Sequence, residues 1–588
     1  MKRAYAAVIC LIINVTFFMQ AVAFSSPQPN MVTLPGHVPY EAVQNAQPLA
    51  RLQPSTAINL AITLPLRNQA KLDTLLQQLY DPSSPNYGKY LTPQSFTDQF
   101  GPTQADYDAV IAFANAHGLN VSATHSNRTI LDVSGSANAV ETAFNLHLLN
   151  YKSTEGNLFY ASDTEPSVPA DIANVISGVV GQDNAHAPKP NSQWIPMSSA
   201  SRPMPQIAGS GPGGLSPQDI QNAYSSIGNP SNFPGGGETL GLFEQDGYNA
   251  SDVNAYVSYF SSYEHSVWNT TPPLQAVSVD GFSNYPHTYG GGLEVTLDIE
   301  LQIALASLAK KIIIYETPNT QQGTIDGYNR IASDNQAKEI SSSWGQPEQN
   351  LSSSFRSAEN HAFQQMAAQG QSIYVASGDG GAYANGSTLS VQDPASQPFV
   401  VSVGGTELQS IYPISETTWM GTLSGVSKNR GGSGGGISTV WSIPNYQQPV
   451  ITYASLGSTT MRNVPDVALN SSYNSPYAVY YQGAWGGVFG TSCAAPLWAA
   501  YTADVNAIRV AGYQYLGGVK PRLGFMNPVL YKIGQGTRYE PTNPYWGPDF
   551  NDIADGSNNL YYPAVTGYDL ATGWGSFALP LQGDLEYY

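Results

Sequence analysis

The amino-acid sequence predicts an α/β protein with a doubly wound, mostly parallel sheet, preceded by a smaller α+β domain. Two observations carry this prediction. From residue 215 onward, short apolar strand patterns alternate with helical patterns, as in a parallel sheet covered by helices. Before it, residues 31–183 combine helices with short strands, and a stretch rich in Pro, Ser and Gly separates the two regions. The 588 residues are enough for more than one domain.

The first 23 residues have the pattern of a secretory signal peptide. Lys2 and Arg3 precede an apolar run, residues 4–19, and residues 21–23 (Ala-Val-Ala) offer a cleavage site. We expect cleavage after Ala23 and a secreted protein, extracellular or periplasmic. An uncleaved membrane anchor is the alternative, but the run is short. No later segment is apolar enough to span a bilayer, so no membrane partner is expected.

The composition argues against one class of partner and favours acidic surroundings. The chain has 42 acidic and 23 basic residues, a net charge of −19 and a pI of about 4.7, which argues against nucleic acid binding. Only 11% of residues are charged, which suits acid because protonated carboxyls leave little net positive charge to repel. Of the 2 cysteines, Cys10 leaves with the signal peptide, so Cys493 has no disulfide partner. We expect a monomer.

Residues 24–184 form the smaller predicted domain. A helix is predicted over residues 69–80, where leucines recur at helical spacing. The other predicted elements are strands over 58–66 and 129–133 and helices over 107–116 and 140–146. The linker that follows, residues 185–214, should stay extended, exposed and easily cleaved. A passive spacer would have the same composition.

Residues 215–588 form the larger predicted domain. Strands are predicted over 239–243, 311–315, 340–343, 372–376 and 399–403, and helices over 293–308 and around 353–368. Active sites of such folds gather at the carboxyl ends of the strands. Polar residues at strand ends and helix starts are therefore the candidates for chemistry.

Ser492 is the candidate nucleophile. It follows a Gly-Thr turn and opens a run of small and apolar residues that predicts a buried helix, whose first N–H groups would face an anion. An acyl-transfer serine needs an exposed hydroxyl beside such donors, although a plain helix cap looks the same. The histidines beyond the linker are His265, His287 and His361, and none lies in a His-Gly-Thr or His-Gly-Ser setting. Another base is required.

Glu294 and Asp298 are the candidate base. Their spacing places both carboxyls on one face of a helix. The surrounding residues are apolar all round, so the helix should be buried, and two buried carboxyls must share protons or find partners. A solvated surface pair is the alternative. Paired carboxyls could also serve a glycosidase, but that would leave the serine turn unexplained.

Asp379 is the candidate for stabilising negative charge. It lies between two glycines after the strand predicted over 372–376. An ionised aspartate cannot stabilise an oxyanion, so Asp379 would have to be protonated and donate a hydrogen bond. An ordinary turn residue is the alternative.

Several motifs together resemble the sedolisin family of serine-carboxyl peptidases, and its kumamolisin-like members most. Residues 81–92 (DPSSPNYGKYLT) resemble the signature of the pro-kumamolisin activation domain. Residues 294–300 (EVTLDIE), 377–380 (SGDG) and 490–492 (GTS) resemble the catalytic motifs, in the family's order. The resemblance implies a subtilisin-like larger domain and a ferredoxin-like pro-domain that acts as intramolecular inhibitor and chaperone. It also implies protein or peptide substrates.

The resemblance assigns roles to individual residues. Ser492 would be the nucleophile and Glu294 the general base and acid, Asp298 would orient Glu294 and share its proton, and Asp379 would complete the oxyanion hole. Glu244 aligns with a glutamate that reaches the catalytic glutamate through a network including a tryptophan like Trp344. The substrate-binding residues that the resemblance implies are Ser343, Gly345, Gly434, Gly435 and Gly436.

Residues 551–553 and 562–569 resemble the calcium site of the same family. Carboxylates and backbone carbonyls suit a hard cation that binds oxygen. The implied ligands of one Ca²⁺ ion are the side chains of Asp552 and Asp569 and the carbonyls of Ile553, Val565 and Gly567.

Two residues depart from the family pattern. Phe489 replaces a usual glycine or serine and is expected to crowd the cleft or alter substrate preference. Cys493 replaces alanine; it could be a nucleophile beside Ser492, but it has no histidine partner and is expected to pack into the helix. We therefore predict a secreted, acid-acting endopeptidase made as a self-activating zymogen. The alternatives are a tripeptidyl exopeptidase of the same family and a catalytically inactive secreted binding protein.

Overall fold

The computed structural model describes residues 30–197, 209–224, 235–263, 271–420, 431–512, 518–539 and 547–588. The predicted signal peptide, residues 1–23, lies outside the described residues, and so do residues 198–208 of the predicted linker. Across the described ranges, no helix is both long enough and apolar enough to cross a bilayer.

The N-terminal domain is a four-stranded antiparallel sheet packed against helices. Its strands, in order across the sheet, are Asn120–Thr124, Ile130–Ser136, Ala57–Thr63 and Gly178–Val180. Its helices are Tyr40–Gln44, Gln69–Leu79, Pro93–Phe100, Gln104–Ala116 and Ala137–Phe144. Smaller sheets join Gln47–Arg51, Leu148–Lys152 and Leu158–Ser162, and Met31–Thr33 with Ser167–Pro169. The strand order and the βαββαβ chain order are those of a ferredoxin-like sandwich, which confirms the prediction.

Local sequence explains these elements. The helix Gln104–Ala116 begins with a capping box, in which the Thr103 hydroxyl accepts from the Asp106 N–H and the Asp106 carboxylate accepts from the Thr103 N–H. On the strand Ala57–Thr63, Leu60 and Ile62 face the domain's own core. The predicted helices and strands of this domain are found, with ends shifted by one turn or less.

The larger domain is built on an eight-stranded sheet. In order the strands are Leu274–Ser278, Lys311–Glu316, Thr239–Glu244, Glu339–Ser342, Ser372–Ala376, Val401–Ile411 and Ile414–Thr418, and Val467–Asn470 also pairs with Val401–Ile411. All these pairings are parallel except that of Val401–Ile411 with Ile414–Thr418. The mostly parallel, subtilisin-like sheet predicted from the sequence is confirmed.

Helices cover both faces of this sheet, and short strands complete the domain. The helices are Pro217–Tyr224, Ala250–Tyr263, Tyr289–Leu305, Gln321–Asp334, Ser353–Ala368, Thr491–Ala511, Asn527–Gly534 and Leu579–Tyr587. The short strands are Trp344–Pro347, Gln392–Asp393, Gly436–Ser442, Met461–Val464, Tyr477–Tyr481, Ala484–Phe489, Phe550–Asn551 and Ser576–Phe577.

Two buried helices on one face of the sheet position the candidate site. We call Tyr289–Leu305 the acidic helix and Thr491–Ala511 the serine helix. They pack along each other and against Leu240 and Leu242 of the sheet, whereas Phe243 points into the core on the opposite face. This alternation buries the central strands on both sides.

The N-terminal domain packs against the face of the larger domain opposite the acidic and serine helices. Ala61 and Ile130 of its sheet join one apolar cluster with Ile325 and Phe355 of two helices of the larger domain. The backbone N–H of Leu91 donates to the Ala368 carbonyl at 2.9 Å, as an edge contact between the domains. The two domains therefore share buried surface as well as a chain connection.

The linker differs from its prediction in one respect. Lys189–Pro190 pairs antiparallel with Trp344–Pro347, and Gln193–Pro196 pairs antiparallel with Ala484–Phe489. Asn191, between the two paired segments, is buried. Composition predicts the conformation of a segment that has no partner. Here two strand edges of the larger domain supply hydrogen-bond partners for the linker. The expectation of an exposed coil is therefore wrong for this part of the linker.

The contact between the two domains can be tested at Tyr80. Its buried hydroxyl donates to the Ala367 carbonyl at 2.5 Å and accepts from the Phe525 N–H at 3.0 Å. Tyr80→Phe leaves that buried N–H without an acceptor, so we expect the free energy of unfolding to fall by about 1–3 kcal/mol. The measurement is urea unfolding of the full chain carrying Ser492→Ala, which prevents self-cleavage.

Tyr40→Phe is the matched control, because the Tyr40 hydroxyl bonds Glu165 at the surface. We expect it to change the free energy of unfolding by less than about 0.5 kcal/mol. Equal effects of the two substitutions would contradict the assigned contact.

Candidate active site

Ser492 lies at the start of the serine helix, directly after the strand Ala484–Phe489. The turn between them is Gly490, whose φ of 126° is a conformation that favours glycine. As the second residue of the helix, Ser492 has a backbone N–H that no helical carbonyl accepts. That N–H donates to the carbonyl oxygen of Asn191 in the linker at 3.1 Å.

Glu294 and Asp298 project from the acidic helix into the same pocket, and both are fully buried. Oε2 of Glu294 accepts a hydrogen bond from the Ser192 hydroxyl at 2.5 Å, and Oδ1 of Asp298 accepts from the Ser343 hydroxyl at 3.0 Å. Within the described part of the chain, the Ser492 Oγ atom makes no hydrogen bond. Its hydroxyl is nevertheless close enough to Glu294 to lower the pKa of that carboxyl.

Burial governs the protonation of this pair. It raises the pKa of Glu294 to about 8, against the smaller lowering by the hydroxyls of Ser192 and Ser492. It also raises the pKa of Asp298, and the charges of Glu244 and Glu294 push in the same direction. The carboxyls therefore titrate together and share protons.

Glu244 and Trp344 extend this arrangement behind Asp298. Glu244 ends the strand Thr239–Glu244 and is fully buried, and its Oε2 accepts from the indole N–H of Trp344 at 2.9 Å. Burial raises the pKa of Glu244, and the Trp344 hydrogen bond lowers it in part. The structure thus brings together Trp344, Glu244, Asp298 and Glu294, in that order.

Asp379 lies on the opposite side of the pocket, just after the strand Ser372–Ala376. Its Oδ1 accepts from the backbone N–H of Thr491 at 2.8 Å and from the Thr491 hydroxyl at 3.0 Å. Burial raises the pKa of Asp379 to about 7, although the two Thr491 bonds lower it in part. In acid the carboxyl is therefore neutral and has a proton to donate.

Gly490 shows where the remaining oxygen of Asp379 lies. A Cβ atom at this position would be 2.2 Å from the Asn191 carbonyl oxygen and 2.6 Å from Oδ2 of Asp379. Both oxygens thus approach the Gly490 backbone, next to the N–H of Ser492. A protonated Oδ2 and this N–H form a pair of donors that suits an oxyanion.

Ser343 and Gly345 contact the linker as an extended chain would contact a strand edge. The Ser343 carbonyl accepts from the Asn191 backbone N–H at 3.1 Å, and Gly345 pairs with Lys189. A Cβ atom at Gly345 would lie 2.5 Å from Oε1 of Gln392, so a larger residue there would displace the end of that side chain.

The other three predicted substrate-binding residues, Gly434, Gly435 and Gly436, have different neighbours. A Cβ atom at Gly434 would lie 2.1 Å from the Ser377 carbonyl oxygen, and one at Gly435 would lie 2.1 Å from that of Leu570. Between these glycines and the linker residues that the structure describes, no hydrogen bond is present. Close protein backbone accounts for glycine at 434 and 435, and a φ of 149° favours glycine at 436, whereas contact with substrate stays a prediction.

The predicted calcium ligands lie in one loop region. Asp569 is buried and accepts from the backbone N–H groups of Val565 and Thr572, and Oδ2 of Asp552 accepts from the Gly567 N–H at 2.8 Å. Among the described residues, no donor bonds the carbonyls of Ile553, Val565 and Gly567. Two carboxylates and three free carbonyl oxygens fit a hard cation.

Cys493 and Phe489, the two departures from the family pattern, are both buried. Burial raises the pKa of the Cys493 thiol well above its usual range, so this residue packs in the core rather than acting as a thiolate. The Phe489 ring packs edge-on against Trp419 and Tyr473. Of the histidines expected to lack a role, His361 is half-buried and His287 bonds Asp246, and His265 lies outside the described residues.

Sequence reasoning missed four residues of the site: Asn191, Ser192, Gln392 and Thr491. Thr491 was part of a recognised motif, but its bonds to Asp379 depend on a contact between distant strands. Asn191 and Ser192 lay in a segment whose composition indicated only a linker. Gln392 carries no local signal.

Comparisons with known proteins identify relatives of both domains. Residues 44–185 match the pro-kumamolisin activation domain, and residues 308–510 match the subtilase family. Kumamolisin of Bacillus sp. strain MN-32 is 32% identical over 84% of this chain and 85% of its own length. Xanthomonalisin of Xanthomonas sp. strain T-22 is 29% identical over 91% of this chain, which spans 66% of xanthomonalisin.

One further relative and one solved structure are also similar to this chain. Tripeptidyl-peptidase 1 of Canis lupus familiaris is 25% identical over 90% of this chain and 92% of its own. The solved structure of Pseudomonas sedolisin, a serine-carboxyl proteinase in complex with pseudo-iodotyrostatin, superposes with a TM-score of 0.52 at 26% identity. It covers 63% of this chain and 97% of its own.

The raised pKa values predict how the stability of the intact chain depends on pH. In the unfolded chain an aspartate ionises near pH 4, whereas folded Asp379 holds its proton up to about pH 7. The free energy of unfolding contributed by Asp379 is therefore full below about pH 4 and is lost as the pH rises through 7. We expect Asp379→Asn, which does not titrate, to reduce this loss by an amount on the order of a few kcal/mol.

The measurement is urea unfolding of the Ser492→Ala chain between pH 4 and pH 8, with and without Asp379→Asn. Asp73→Asn, at an exposed helix position, is the control and should leave the pH dependence unchanged. An identical pH dependence with and without Asp379 would refute the protonated state assigned to it.

Proposed function

Because the chain belongs to the sedolisin family of serine-carboxyl peptidases, we propose that it is a secreted endopeptidase that works in acid and is made as a self-activating zymogen. One observation carries this proposal. A serine at a helix start, a pair of buried carboxyls and a separate, half-buried aspartate converge on one pocket, which receives an extended peptide.

The nucleophile and its base are assigned from this convergence. Ser492 Oγ attacks the peptide carbonyl carbon while Glu294 takes its proton, and Glu294 then gives this proton to the leaving amine. Water hydrolyses the acyl-enzyme with Glu294 again as base. A carboxyl whose pKa burial has raised is a stronger base when ionised, which suits removal of a hydroxyl proton.

The protonation of Asp379 makes the proposed activity depend on acid. Its pKa of about 7 keeps it neutral in acid, where its proton and the Ser492 N–H can bind the oxyanion together. As the pH rises through 7 the donor becomes an anion that repels the developing charge. The neutral donor therefore favours acid, whereas Glu294 acts as base only in the molecules in which the coupled carboxyls have lost a proton, so we expect activity to fall again at lower pH.

Asp298, Glu244 and Trp344 act through Glu294. Asp298 shares a proton with Glu294 and is itself held by the Ser343 hydroxyl. Trp344 fixes Glu244 behind Asp298. We assign these three residues a positioning role, which keeps one negative charge distributed over the buried carboxyls.

The open end of the cleft favours an endopeptidase over a tripeptidyl exopeptidase. The linker enters the cleft as a continuous chain, with three residues, 189–191, before the Asn191 carbonyl. A fourth residue, Pro188, continues upstream, and its carbonyl accepts from the Asn319 side chain at 3.1 Å. An enzyme that removes tripeptides would need this end closed.

We also propose that one Ca²⁺ ion binds Asp552 and Asp569 together with the carbonyls of Ile553, Val565 and Gly567. Bound there, it would neutralise two carboxylates and tie the C-terminal loops together. Secretion is proposed from the N-terminal signal sequence, and release of the N-terminal domain is proposed to activate the enzyme.

Self-shortening of the purified precursor tests the proposed activity. At about pH 4, where carboxyls titrate, we expect cleavage within residues 185–214. Ser492→Ala should abolish it, and Glu294→Gln should slow it by roughly 10²–10⁴-fold because the base is lost. The measurement is gel and mass analysis over time.

Cys493→Ala is the matched control and should retain self-shortening, since the thiol is buried and protonated. A precursor that stays intact, and that also leaves a denatured protein mixture uncut, would support an inactive binding protein instead.

Thermal unfolding in the presence of a chelator tests the calcium proposal. Ligand binding stabilises a folded chain by mass action, so chelation should lower Tm by roughly 5 °C, and Ca²⁺ should restore it better than Mg²⁺. Asp569→Asn should remove the dependence on Ca²⁺. Asp555→Asn, in the same loop region but outside the ligand set, should keep it. A Tm indifferent to chelator would exclude the site.

A further inference from the structure

We propose that the precursor cuts its own linker at the peptide bond between Asn191 and Ser192, and that Gln392 makes an asparagine before the cut bond the preferred residue. This inference rests on the proposed peptidase function and adds to it the scissile bond and the side-chain preference.

Strand pairing of the linker on both sides of the cleft places a peptide bond of the linker next to Ser492. Upstream, Lys189 pairs with Gly345, and the Asn191 N–H donates to the Ser343 carbonyl at 3.1 Å. Downstream, Gln193 pairs with Phe489, the last residue before the Gly-Thr-Ser turn. The chain is therefore held in an extended form at both ends, and the two peptide bonds of Ser192, to Asn191 and to Gln193, lie between the paired segments.

The carbonyl of the bond between Asn191 and Ser192 occupies the pocket of the oxyanion donors. Its oxygen accepts from the Ser492 N–H at 3.1 Å and would contact a Cβ atom at Gly490 at 2.2 Å, where Oδ2 of Asp379 is also adjacent. The Cα atom of Ser192 lies 3.0 Å from the same point. The carbonyl that the donors polarise is thus the one joined to the Ser192 nitrogen.

Ser192 also contacts the proposed base. Its hydroxyl donates to Oε2 of Glu294 at 2.5 Å, whereas Ser492 Oγ lacks a hydrogen-bond partner among the described residues. The residue that will carry the leaving amine therefore lies beside the group that must protonate it. The same contact occupies the base while the linker is intact.

The reaction balances with water alone. Ser492 Oγ forms an ester with the Asn191 carbonyl carbon, the bond to the Ser192 nitrogen breaks, and Glu294 moves the proton from Ser492 to that nitrogen. Water then hydrolyses the ester. The products are one chain ending in the Asn191 carboxylate and another beginning with the Ser192 amine.

The side chain of Asn191 is bound as specifically as its backbone. Its amide nitrogen donates to Oε1 of Gln392 at 3.0 Å and to the Ser343 carbonyl at 3.3 Å, and the residue is 6% exposed. The Gln392 side chain is itself enclosed. Cβ atoms at Gly345 and Gly378 would lie 2.5 Å and 2.6 Å from it. A leucine before the cut bond would leave the Gln392 and Ser343 oxygens without this donor.

The experiment first locates the cut. Wild-type precursor is brought to about pH 4. The N-terminal sequence of the earliest large fragment is determined, and the mass of the small fragment is measured by mass spectrometry. We expect the large fragment to begin at Ser192 and the small one to end at Asn191. A first cut at another bond would overturn the inference but leave the peptidase proposal standing, whereas loss of all cleavage, including that of a denatured protein, would overturn both.

Linker variants then test the side chain. Asn191→Leu should slow the first cut roughly tenfold or more, since one buried donor is lost. Gln193→Leu, which changes an amide on the other side of the bond, is the control and should cut at the wild-type rate. Equal rates for the two variants would refute the preference for asparagine.

A matched peptide pair tests Gln392 outside the precursor. One peptide copies residues 188–197 and the other carries leucine at position 191. We expect the mature enzyme to show a kcat/KM for the asparagine peptide roughly tenfold higher or more. Gln392→Leu should abolish this ratio while still cleaving the leucine peptide, which also reports a folded enzyme. An unchanged ratio in Gln392→Leu would exclude Gln392 as the determinant.

Discussion

The site depends on carboxyl groups held in a pocket from which water is excluded. Glu294, Asp298 and Glu244 are fully buried, and hydroxyl and indole groups are their polar neighbours. No cation is among the groups that shift the pKa of Glu294. Burial without a counter-charge makes each carboxyl bind its proton tightly, so the pocket carries less charge than its composition implies. This burial alone does not favour acid, because Glu294 must lose its proton to act as base; the proposed preference for acid rests on Asp379, which must keep its proton.

The fold meets this constraint through two long helices on one face of a parallel sheet. The acidic helix is mostly apolar and buries Thr296 and Gln302 as well as its carboxyls, and the serine helix packs alongside it with small residues such as Ala494 and Cys493. Strand ends then bring Glu244 and Asp379 to the same edge, as parallel sheets do. The pocket is therefore built from helix starts and strand ends of several elements rather than from a single loop.

The parts that the sequence could predict are those with a local signature. Helical spacing located the acidic helix, and short motifs located Ser492 and Asp379. The linker strands escaped prediction because their partners lie far away in sequence: Asn191 and Gln392 are separated by 201 residues. The glycines at 434–436 were predicted only in part. Contact with substrate was predicted for them from the resemblance, whereas the close backbone neighbours of Gly434 and Gly435 are specified by no local pattern.

The contact between the linker and the cleft can account for both inhibition and activation of the peptidase, because the linker lies in the cleft in the register of a substrate. While Asp379 is ionised, the oxyanion pocket lacks its second donor, and an intact strand fills the cleft and holds Glu294 through Ser192. When Asp379 gains a proton, the oxyanion pocket has both of its donors. The peptide that lies in the cleft at that moment is the linker of the same chain. Because that peptide belongs to the same chain, no encounter is needed and the reaction has the advantage of an intramolecular step. In the proposed mechanism, the proton that completes the oxyanion pocket therefore also leads to removal of the segment that fills the cleft.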